Sequence, residues 1–281
     1  MTTSPFTVDV AWLHERLNDP SLSIVSSKGL LPTLNGDETL PFDEQHIPGS
    51  VYFDIDEIAD PDAPLPHTLS SPEIFVDAVG KMGISDQDTI VVYEGADLVF
   101  AARVWWNFRI MGAKNVFILN GGFREWLNAG LPVESGTPTP SPKTFTPKYN
   151  PAPAIFFDAM SAIVDKGEIQ IADARARGRF SGEEQEPRDG MRSGHMPGAK
   201  SVPFTELLKN GKLGPVEQLL GVYKKAGIDL NKPIVTSCGS GVTAAILILA
   251  LETIGHKDAM LYDGSWTEWG GREDTKIITG E

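Results

Sequence analysis

The stretch Ile234–Leu251, which reads IVTSCGSGVTAAILILAL, decides the fold of this chain. It opens with a short apolar run, passes through the Gly-rich turn Cys238–Thr243 and continues into an apolar helical pattern. This order predicts a buried strand, a tight turn and the N-terminus of a helix. Unpaired backbone amides and the helix dipole both favour negative charge in a turn of this kind.

Cys238 opens that turn, and it is the only cysteine in the chain. A thiol at a helix N-terminus loses its proton more easily than a free thiol, and the thiolate is the reactive form. The alternative is a small buried hydrophobe, as most lone cysteines are. We expect a nucleophile whose bare sulfur faces a cleft.

Composition excludes several classes of function. The net charge of −14 argues against nucleic acid and anionic membrane surfaces as partners. One Cys and five His residues cannot assemble a zinc site with the usual spacings, and we expect no metal. In so acidic a chain, an anionic substrate requires a local cluster of arginines.

Targeting signals are missing from the pattern. The first five residues have neither a basic region nor an apolar signal core, and no apolar run is long enough to cross a membrane. A single cysteine forms no internal disulfide. We therefore expect a cytoplasmic protein.

Three segments recur in the same order in the two halves of the chain. The pairs are His46–Val51 with His195–Lys200, Ile90–Gly95 with Ile234–Gly239, and Leu119–Trp126 with Tyr262–Trp269. The order indicates a duplicated domain of about 130 residues, an ordinary domain size. We predict domains at residues 1–134 and 154–281, joined by an extended Pro-rich linker at 135–153.

Short apolar runs alternate with helical patterns in both halves. The predicted strands are Ile24–Ser26, Thr89–Val92, Val116–Leu119, Ile169–Ala172, Ile234–Thr236 and Ala259–Tyr262. Alternating strands and helices predict an α/β fold in which helices cover both faces of a mostly parallel sheet. Ligands of such sheets bind beyond the carboxyl ends of the strands, where Cys238 lies.

Glu94 takes the position of Cys238 in the first repeat. A carboxylate cannot perform thiol chemistry, so we expect the first domain to be catalytically silent and to form part of the cleft wall. We interpret Glu94 as a charge bound by loop amides or by an arginine.

The loop Cys238–Thr243 resembles the active-site loop of 3-mercaptopyruvate sulfurtransferases, in the two-domain rhodanese superfamily. The two His-Xaa-Pro-Gly elements and the segment Tyr262–Trp266 are similar too, and the resemblance extends over nearly the whole chain. It implies two tandem rhodanese-like domains, each with a mostly parallel five-stranded sheet. The Asp-Xaa-Arg element of Asp173–Arg175 has no counterpart at Val25–Lys28, a departure that fits decay of a silent domain.

The resemblance also implies the substrate. Thiosulfate sulfurtransferases carry basic residues after the cysteine, whereas this chain has the neutral Gly239 and Ser240. Neutral residues favour a mercapto-keto acid, whose charge lies at its far end. In the resembled family two arginines hold the substrate carboxylate, and the matching positions are Arg179 and Arg188, whose guanidinium forks suit a carboxylate.

Another interpretation of Arg179 and Arg188 stays open. They can pair instead with the neighbouring acids as a solvated surface network, in which each pair contributes little energy. The acids in question are Glu183, Glu184 and Glu186. Arg175 follows a strand directly, and we expect it to make structural hydrogen bonds near the active loop.

A relay of Asp56, His67 and Ser240 is a further implication of the resemblance. An imidazole can move a proton to or from a hydroxyl while a carboxylate fixes its orientation. Spacing alone does not place His67 against Ser240. His46 and His195 precede Pro-Gly turns in both repeats, and we interpret them as structural because the silent copy has one too.

The implied reaction is transfer of sulfur from 3-mercaptopyruvate to Cys238, with release of pyruvate and formation of a persulfide. Backbone amides of the loop would cradle the outer sulfur, from Gly239 through Gly241 and Val242 to Thr243. Cyanide, small thiols or thioredoxin would then accept the sulfur. The scheme needs no cofactor.

Three alternatives remain. The donor could be thiosulfate. The chain could be a non-catalytic persulfide carrier or binding module, against which the intact Cys238 argues. A phosphatase of this fold would need an arginine near the end of the loop, where Thr243 and Ala244 stand instead.

Overall fold

The computed structural model of the protein describes residues 4–32 and 38–280. Residues 1–3, on which the expectation of a missing secretion signal partly rests, lie outside the described residues. The first half contains β1 (Thr7–Val8), α1 (Val10–His14), β2 (Leu22–Ser26), β3 (Leu30–Pro32), β4 (Thr39–Pro41), β5 (Ser50–Tyr52), α2 (Pro72–Lys81), β6 (Thr89–Tyr93), α3 (Val99–Ile110), β7 (Asn115–Leu119) and α4 (Gly122–Asn128).

The second half follows the same plan. It contains β8 (Ala154–Ile155), α5 (Phe157–Lys166), β9 (Gln170–Asp173), α6 (Arg177–Ser181), β10 (Ala199–Ser201), a short 3₁₀ turn (Phe204–Leu207), β11 (Leu208–Lys209), β12 (Lys212–Leu213), α7 (Val216–Lys225), β13 (Ile234–Ser237), α8 (Ala244–Thr253), β14 (Ala259–Tyr262) and α9 (Ser265–Trp269).

Two five-stranded sheets have matching strand orders, β5-β2-β6-β7-β1 in the first half and β10-β9-β13-β14-β8 in the second. Every pair within them is parallel. The predicted α/β fold of tandem domains is confirmed. The outer strands β1, β5, β8 and β10 were not predicted, because runs of two or three residues carry too little periodicity to be recognised.

Helices cover both faces of each sheet. In β6, Val91 packs into the cluster with residues of α1 and α4, whereas Ile90 and Val92 pack into the cluster with α2 and α3. The alternation follows from side chains that point to opposite faces along a strand. The second sheet repeats it, with Val235 facing α5 and α9.

The helices α3 and α8 join the two halves. Residues 244–251 of α8 are all buried, and so are most residues of α3. A helix that is apolar on every side is stable only when it is enclosed. Arg109 of α3 adds an ion pair with Glu252 of α8 at 2.6 Å, and one buried hydrophobic cluster includes residues from both halves.

The segment 135–153 is fully described and contains no helix or strand. It is anchored on the first half, where the Lys143 amide donates to the Gly80 carbonyl, the Lys148 amide donates to the Met111 carbonyl and Phe145 is buried. The Pro-rich composition suits such an extended course, because proline cannot donate to a ladder.

His46 and His195 have matching structural contacts. Each Nδ1 atom lies close to a backbone carbonyl, at 2.6 Å from Phe42 O and 2.9 Å from Phe180 O. Each ring also stacks on the phenylalanine whose carbonyl it contacts. The structural interpretation of both histidines is confirmed. Among the helices of the described part of the chain, none is long and apolar enough to cross a membrane.

Candidate active site

The turn after β13 is held by the start of α9. The backbone amides of Trp266 and Thr267 donate to the carbonyls of Cys238 and Gly239, at 3.0 and 2.7 Å. The Cys238 amide donates to Ser265 Oγ at 3.1 Å. Because the carbonyls of the first two turn residues are bound on the α9 side, the cysteine has a fixed backbone.

Gly241 is required by the geometry of the turn. Its φ is 75°, in the left-handed region that favours glycine. A Cβ atom at this position would lie 2.6 Å from the Asp263 carbonyl oxygen and 2.7 Å from Arg103 Nη1. Both distances are far below van der Waals contact, so only glycine fits.

Cys238 lies at the wall of a cavity of about 220 Å³ between the two halves. The first half contributes His67, Val99 and Phe100, and the second half contributes Arg179, Pro187, Arg188, Cys238, Gly239, Ser240, Val242 and Thr243. The cysteine is 2% exposed. The expected bare sulfur is therefore largely enclosed, and the cavity provides its access.

Volume alone does not distinguish this cavity as the candidate active site. A larger cavity of about 530 Å³ lies beside α2 and the Pro-rich segment. Its lining includes four carboxylates and contains no cysteine, serine or histidine. The smaller cavity has the candidate nucleophile Cys238 and two arginines, so chemistry identifies it as the active-site candidate.

His67 connects the two halves at the cavity. Its Nδ1 atom lies 2.9 Å from Ser240 Oγ, and its Nε2 atom lies 3.1 Å from Asp56 Oδ1. His67 has a φ of 61°, which is uncommon for a residue with a side chain. Asp56 does not line the cavity, and its side chain is 70% exposed. The structure thus brings the three residues of the implied relay into one chain of contacts.

Burial lowers the pKa of His67 below 6.5, because a charged imidazolium is poorly solvated there. The Asp56 carboxylate opposes this effect, and the guanidinium groups of Arg188 and Arg103 add to it. The imidazole is therefore neutral at neutral pH, with one nitrogen free to accept a proton.

Arg179 and Arg188 converge on the residue that follows the cysteine. A Cβ atom on Gly239 would lie 3.3 Å from Arg179 Nη2 and 3.7 Å from Arg188 Nη1. Arg188 Nη1 also lies 3.4 Å from Thr267 Oγ1. An anion beside Gly239 would therefore meet two guanidinium groups, which suits a carboxylate.

Glu186 is the acid that pairs with Arg179. Its side chain is 3% exposed, and it also pairs with Arg175 Nη1 at 2.8 Å. Pairing with a neighbouring glutamate therefore occurs, but at a buried carboxylate and not in a solvated network. Arg175 also donates to Asp173 and to the Gly194 carbonyl, so its predicted structural role is confirmed.

The loop of the first half contains its own anion. The Glu94 carboxylate accepts from the amides of Val99, Phe100 and Ala101, at 2.8, 2.6 and 3.2 Å. The interpretation of Glu94 as a charge bound by loop amides is confirmed. Burial raises its pKa to about 7, and the three amides offset this only in part.

The loop of the second half has unpaired backbone amides of its own. Within the described ranges, the backbone N–H groups of residues 239–243 donate to no protein acceptor. Gly241 does not line the cavity, since its carbonyl accepts from Arg103 Nη1 at 3.0 Å. The remaining loop residues, Gly239, Ser240, Val242 and Thr243, do line it.

Arg103, Asp263 and Ser265 were not predicted as site residues. Arg103 lies in the middle of a mostly apolar helix, and a charge in that position signals a buried cation which needs partners. Asp263 and Ser265 belong to the repeated segment, which was interpreted as evidence of duplication and of the family resemblance. Their positions under the turn became visible in three dimensions.

The rhodanese-like domain family matches the chain twice, at residues 9–129 and 157–272. Each match covers four of the five strands of one sheet, and the edge strands β1 and β8 lie just before the matched residues. The chain belongs to the rhodanese family. Both Glu94 and the Cys238 turn lie inside the matched residues.

Relatives of this rhodanese-family chain match it over nearly its full length. It is 39% identical to the 3-mercaptopyruvate sulfurtransferase of Mus musculus, over 98% of this chain and 95% of that protein. It is 36% identical to the thiosulfate sulfurtransferase of Rattus norvegicus, with the same coverages of 98% and 95%. The crystal structure of the 3-mercaptopyruvate sulfotransferase SseA from Escherichia coli matches with a TM-score of 0.83 and 35% identity, covering 94% of this chain and 99% of that chain.

Proposed function

We propose that the protein is a sulfurtransferase that moves the sulfur of 3-mercaptopyruvate to a thiophilic acceptor through a persulfide on Cys238. The observation that carries the proposal is the convergence of Cys238, Arg179 and Arg188 on one cavity. The cavity thus combines a nucleophile with a site for a small carboxylate.

In the first step, the two arginines bind the substrate carboxylate and direct the substrate thiol toward Cys238. The Cys238 thiolate attacks the substrate sulfur, an S–S bond forms and the carbon–sulfur bond breaks. The carbon fragment leaves as the enolate of pyruvate. The proton of the substrate thiol ends on that carbon, so the products are pyruvate and a deprotonated Cys238 persulfide.

His67 and Ser240 manage that proton. The Ser240 hydroxyl lines the cavity and is 2.9 Å from the neutral His67 imidazole. A proton can therefore pass between the substrate and the imidazole through the hydroxyl. Asp56, 3.1 Å from Nε2, orients the ring and stabilises it when it is charged.

The unpaired amides of the loop stabilise the persulfide anion. The first half supports this role, because three amides there already bind the Glu94 carboxylate. A glutamate and a cysteine persulfide both place negative charge a few atoms beyond Cβ. We therefore infer that the first domain, which holds a carboxyl group in place of a nucleophile, is catalytically silent.

In the second step an acceptor attacks the outer sulfur and the Cys238 thiolate is restored. Cyanide would give thiocyanate, and a thiol would give its persulfide. We propose small thiols or thioredoxin as acceptors in a cytoplasmic setting, where a lone cysteine stays reduced. The chemistry itself calls for no metal or organic cofactor.

Mass spectrometry tests the proposal. The protein is incubated with 3-mercaptopyruvate without acceptor, and its intact mass is measured. We expect a gain of one sulfur atom, which cyanide removes, and no gain in Cys238→Ser. Because Cys238 is the only cysteine, a sulfur adduct on the Ser variant, or none on the wild type, contradicts the proposal.

Thiosulfate is the competing donor. Arg179 and Arg188 could bind its sulfonate end, while the neutral Gly239 and Ser240 give a doubly charged anion little support. Comparison of kcat/KM for the two donors under the same acceptor decides between them. We expect 3-mercaptopyruvate to be preferred, and a preference for thiosulfate would reverse the assignment.

A further inference from the structure

Arg103 lies behind the active-site turn and reaches both halves of the chain. It belongs to α3 of the first half, and its side chain is fully buried. Its Nη1 atom donates to the Gly241 carbonyl at 3.0 Å and its Nη2 atom donates to the His67 carbonyl at 3.0 Å. One guanidinium therefore holds the backbone on both sides of the contact between His67 and Ser240.

Asp263 fixes the guanidinium from the second half. It forms a fully buried ion pair with Arg103 Nη2 at 2.5 Å. Its other oxygen accepts from the Leu69 amide at 2.9 Å, two residues beyond His67. The His67 loop is thus bound twice, once directly by Arg103 and once through Asp263.

The stability of the interface alone does not explain the ion pair between Arg103 and Asp263. A buried ion pair carries a desolvation cost, and apolar side chains of the same volume often stabilise a fold as well or better. Most of α3 and α8 is already joined by such apolar contacts. The guanidinium instead supplies directional hydrogen bonds to two backbone carbonyls at the site, and these fix positions.

We propose that Arg103 is a positioning residue of the active site: it holds the left-handed His67 backbone and the Gly241 carbonyl so that the imidazole meets Ser240. Arg103 touches neither the cavity nor the substrate and acts through these two residues. The inference rests on the proposed function only for the role of the His67–Ser240 contact.

Four charged groups act on His67, and they differ in sign. Asp56 and Asp263 favour the charged imidazolium, while Arg188 and Arg103 disfavour it. Removal of the Arg103 charge should therefore raise the pKa of His67, and removal of the Asp263 charge should lower it. The pKa shifts report the charges that surround His67, whereas kcat reports the orientation of its imidazole.

The experiment compares Arg103→Gln, Asp263→Asn and the control Arg109→Gln. Arg109 lies on the same helix and also pairs across the two halves, but its partner is Glu252. The His67 ring is titrated by NMR in the resting enzyme, with its signal assigned by its loss in His67→Gln. Steady-state rates with 3-mercaptopyruvate give kcat and KM, and circular dichroism checks folding.

We expect the pKa of His67 to rise in Arg103→Gln, to fall in Asp263→Asn and to stay unchanged in Arg109→Gln. We also expect kcat to fall about tenfold or more in the first two variants with little change in KM, since orientation and not binding is lost. Folded variants in which the two pKa values move in the same direction, or not at all, overturn the proposal.

Two provisions keep the test decisive. If Arg103→Gln does not fold, Arg103→Lys replaces it: this variant keeps the charge and loses the fork, so kcat should fall while the pKa of His67 stays unchanged. Wild-type kcat in Arg103→Lys overturns the proposal. The titration needs no turnover, so absence of a persulfide in the wild type would refute the proposed function and leave the pKa comparison valid.

Discussion

The Nδ1 atom of His67 lies 2.9 Å from the Oγ atom of Ser240, although 173 positions separate the two residues in the chain. The contact forms only where the two halves meet, beside the α3–α8 interface. The site is therefore a property of the assembled pair of domains. The second half contributes Cys238 and Ser240 to the cavity, and the first half contributes His67 and part of the wall.

His67→Gln and Ser240→Ala should each lower kcat/KM by about 10²- to 10⁴-fold, the usual range for loss of proton transfer. Because the two residues act on the same proton, the double variant should be little worse than either single one. Pyruvate release at saturating acceptor measures the effect, with the exposed His14→Gln as control. A double variant that loses the product of the two single effects would show independent roles.

Removal of the Arg188 guanidinium should raise KM for 3-mercaptopyruvate by about ten- to a hundredfold, since a hydrogen bond to a charged group contributes about 1.5–3 kcal/mol. The variant is Arg188→Ala. The matched control is Arg177→Ala, an exposed arginine of the same segment that pairs with Glu206 away from the cavity. Equal effects in both variants would mean that general charge, and not a bound carboxylate, sets KM.

Glu94→Gln should change how stability depends on pH. Burial raises the pKa of Glu94 from 4.5 to about 7 in the folded protein. Between these values the folded state retains a proton that the unfolded state has lost, so this group makes the wild type less stable as pH rises. Glu94→Gln has no titrating carboxyl group at this position, so its stability does not decrease with pH in this way.

The free energy of unfolding of Glu94→Gln relative to the wild type should therefore increase from pH 5 to pH 8, by at most about 3 kcal/mol. Urea titrations at several pH values measure it, with the exposed Glu217→Gln as the matched control. A constant difference across this range would show that Glu94 does not titrate as its burial implies.

Leu247→Ala should destabilise the protein by about 2–5 kcal/mol, because it leaves a cavity in the enclosed helix α8. Leu247 is fully buried, whereas Leu220 of α7 is 40% exposed. Leu220→Ala is therefore the control, and we expect a change below about 1 kcal/mol for it. Urea unfolding measures both, and similar losses would mean that α8 is not the rigid joint between the halves.

Much of the fold could be predicted because its elements have strong local patterns. The central strands are continuous apolar runs, and the N-terminus of α2 has a local signal in Ser71, the N-cap, whose hydroxyl accepts from the Ile74 amide at 3.4 Å. The outer strands escaped prediction because they consist of two or three residues whose pairing depends on the rest of the sheet. Two or three residues are too few to show the alternation of side chains that is typical of a strand.

The proposed nucleophile, its Gly-rich turn and the duplication could be recognised in the sequence alone, since each depends on neighbouring residues whose chemistry is local. The tertiary structure alone decided that Cys238 is enclosed, that Arg179 is tied to the buried Glu186, and that Arg103 and Asp263 support the turn. The physical reason is that burial and long-range hydrogen bonds depend on which surfaces come into contact. One sequence pattern is compatible with many packing arrangements, and the arrangement is set only when the two domains pack.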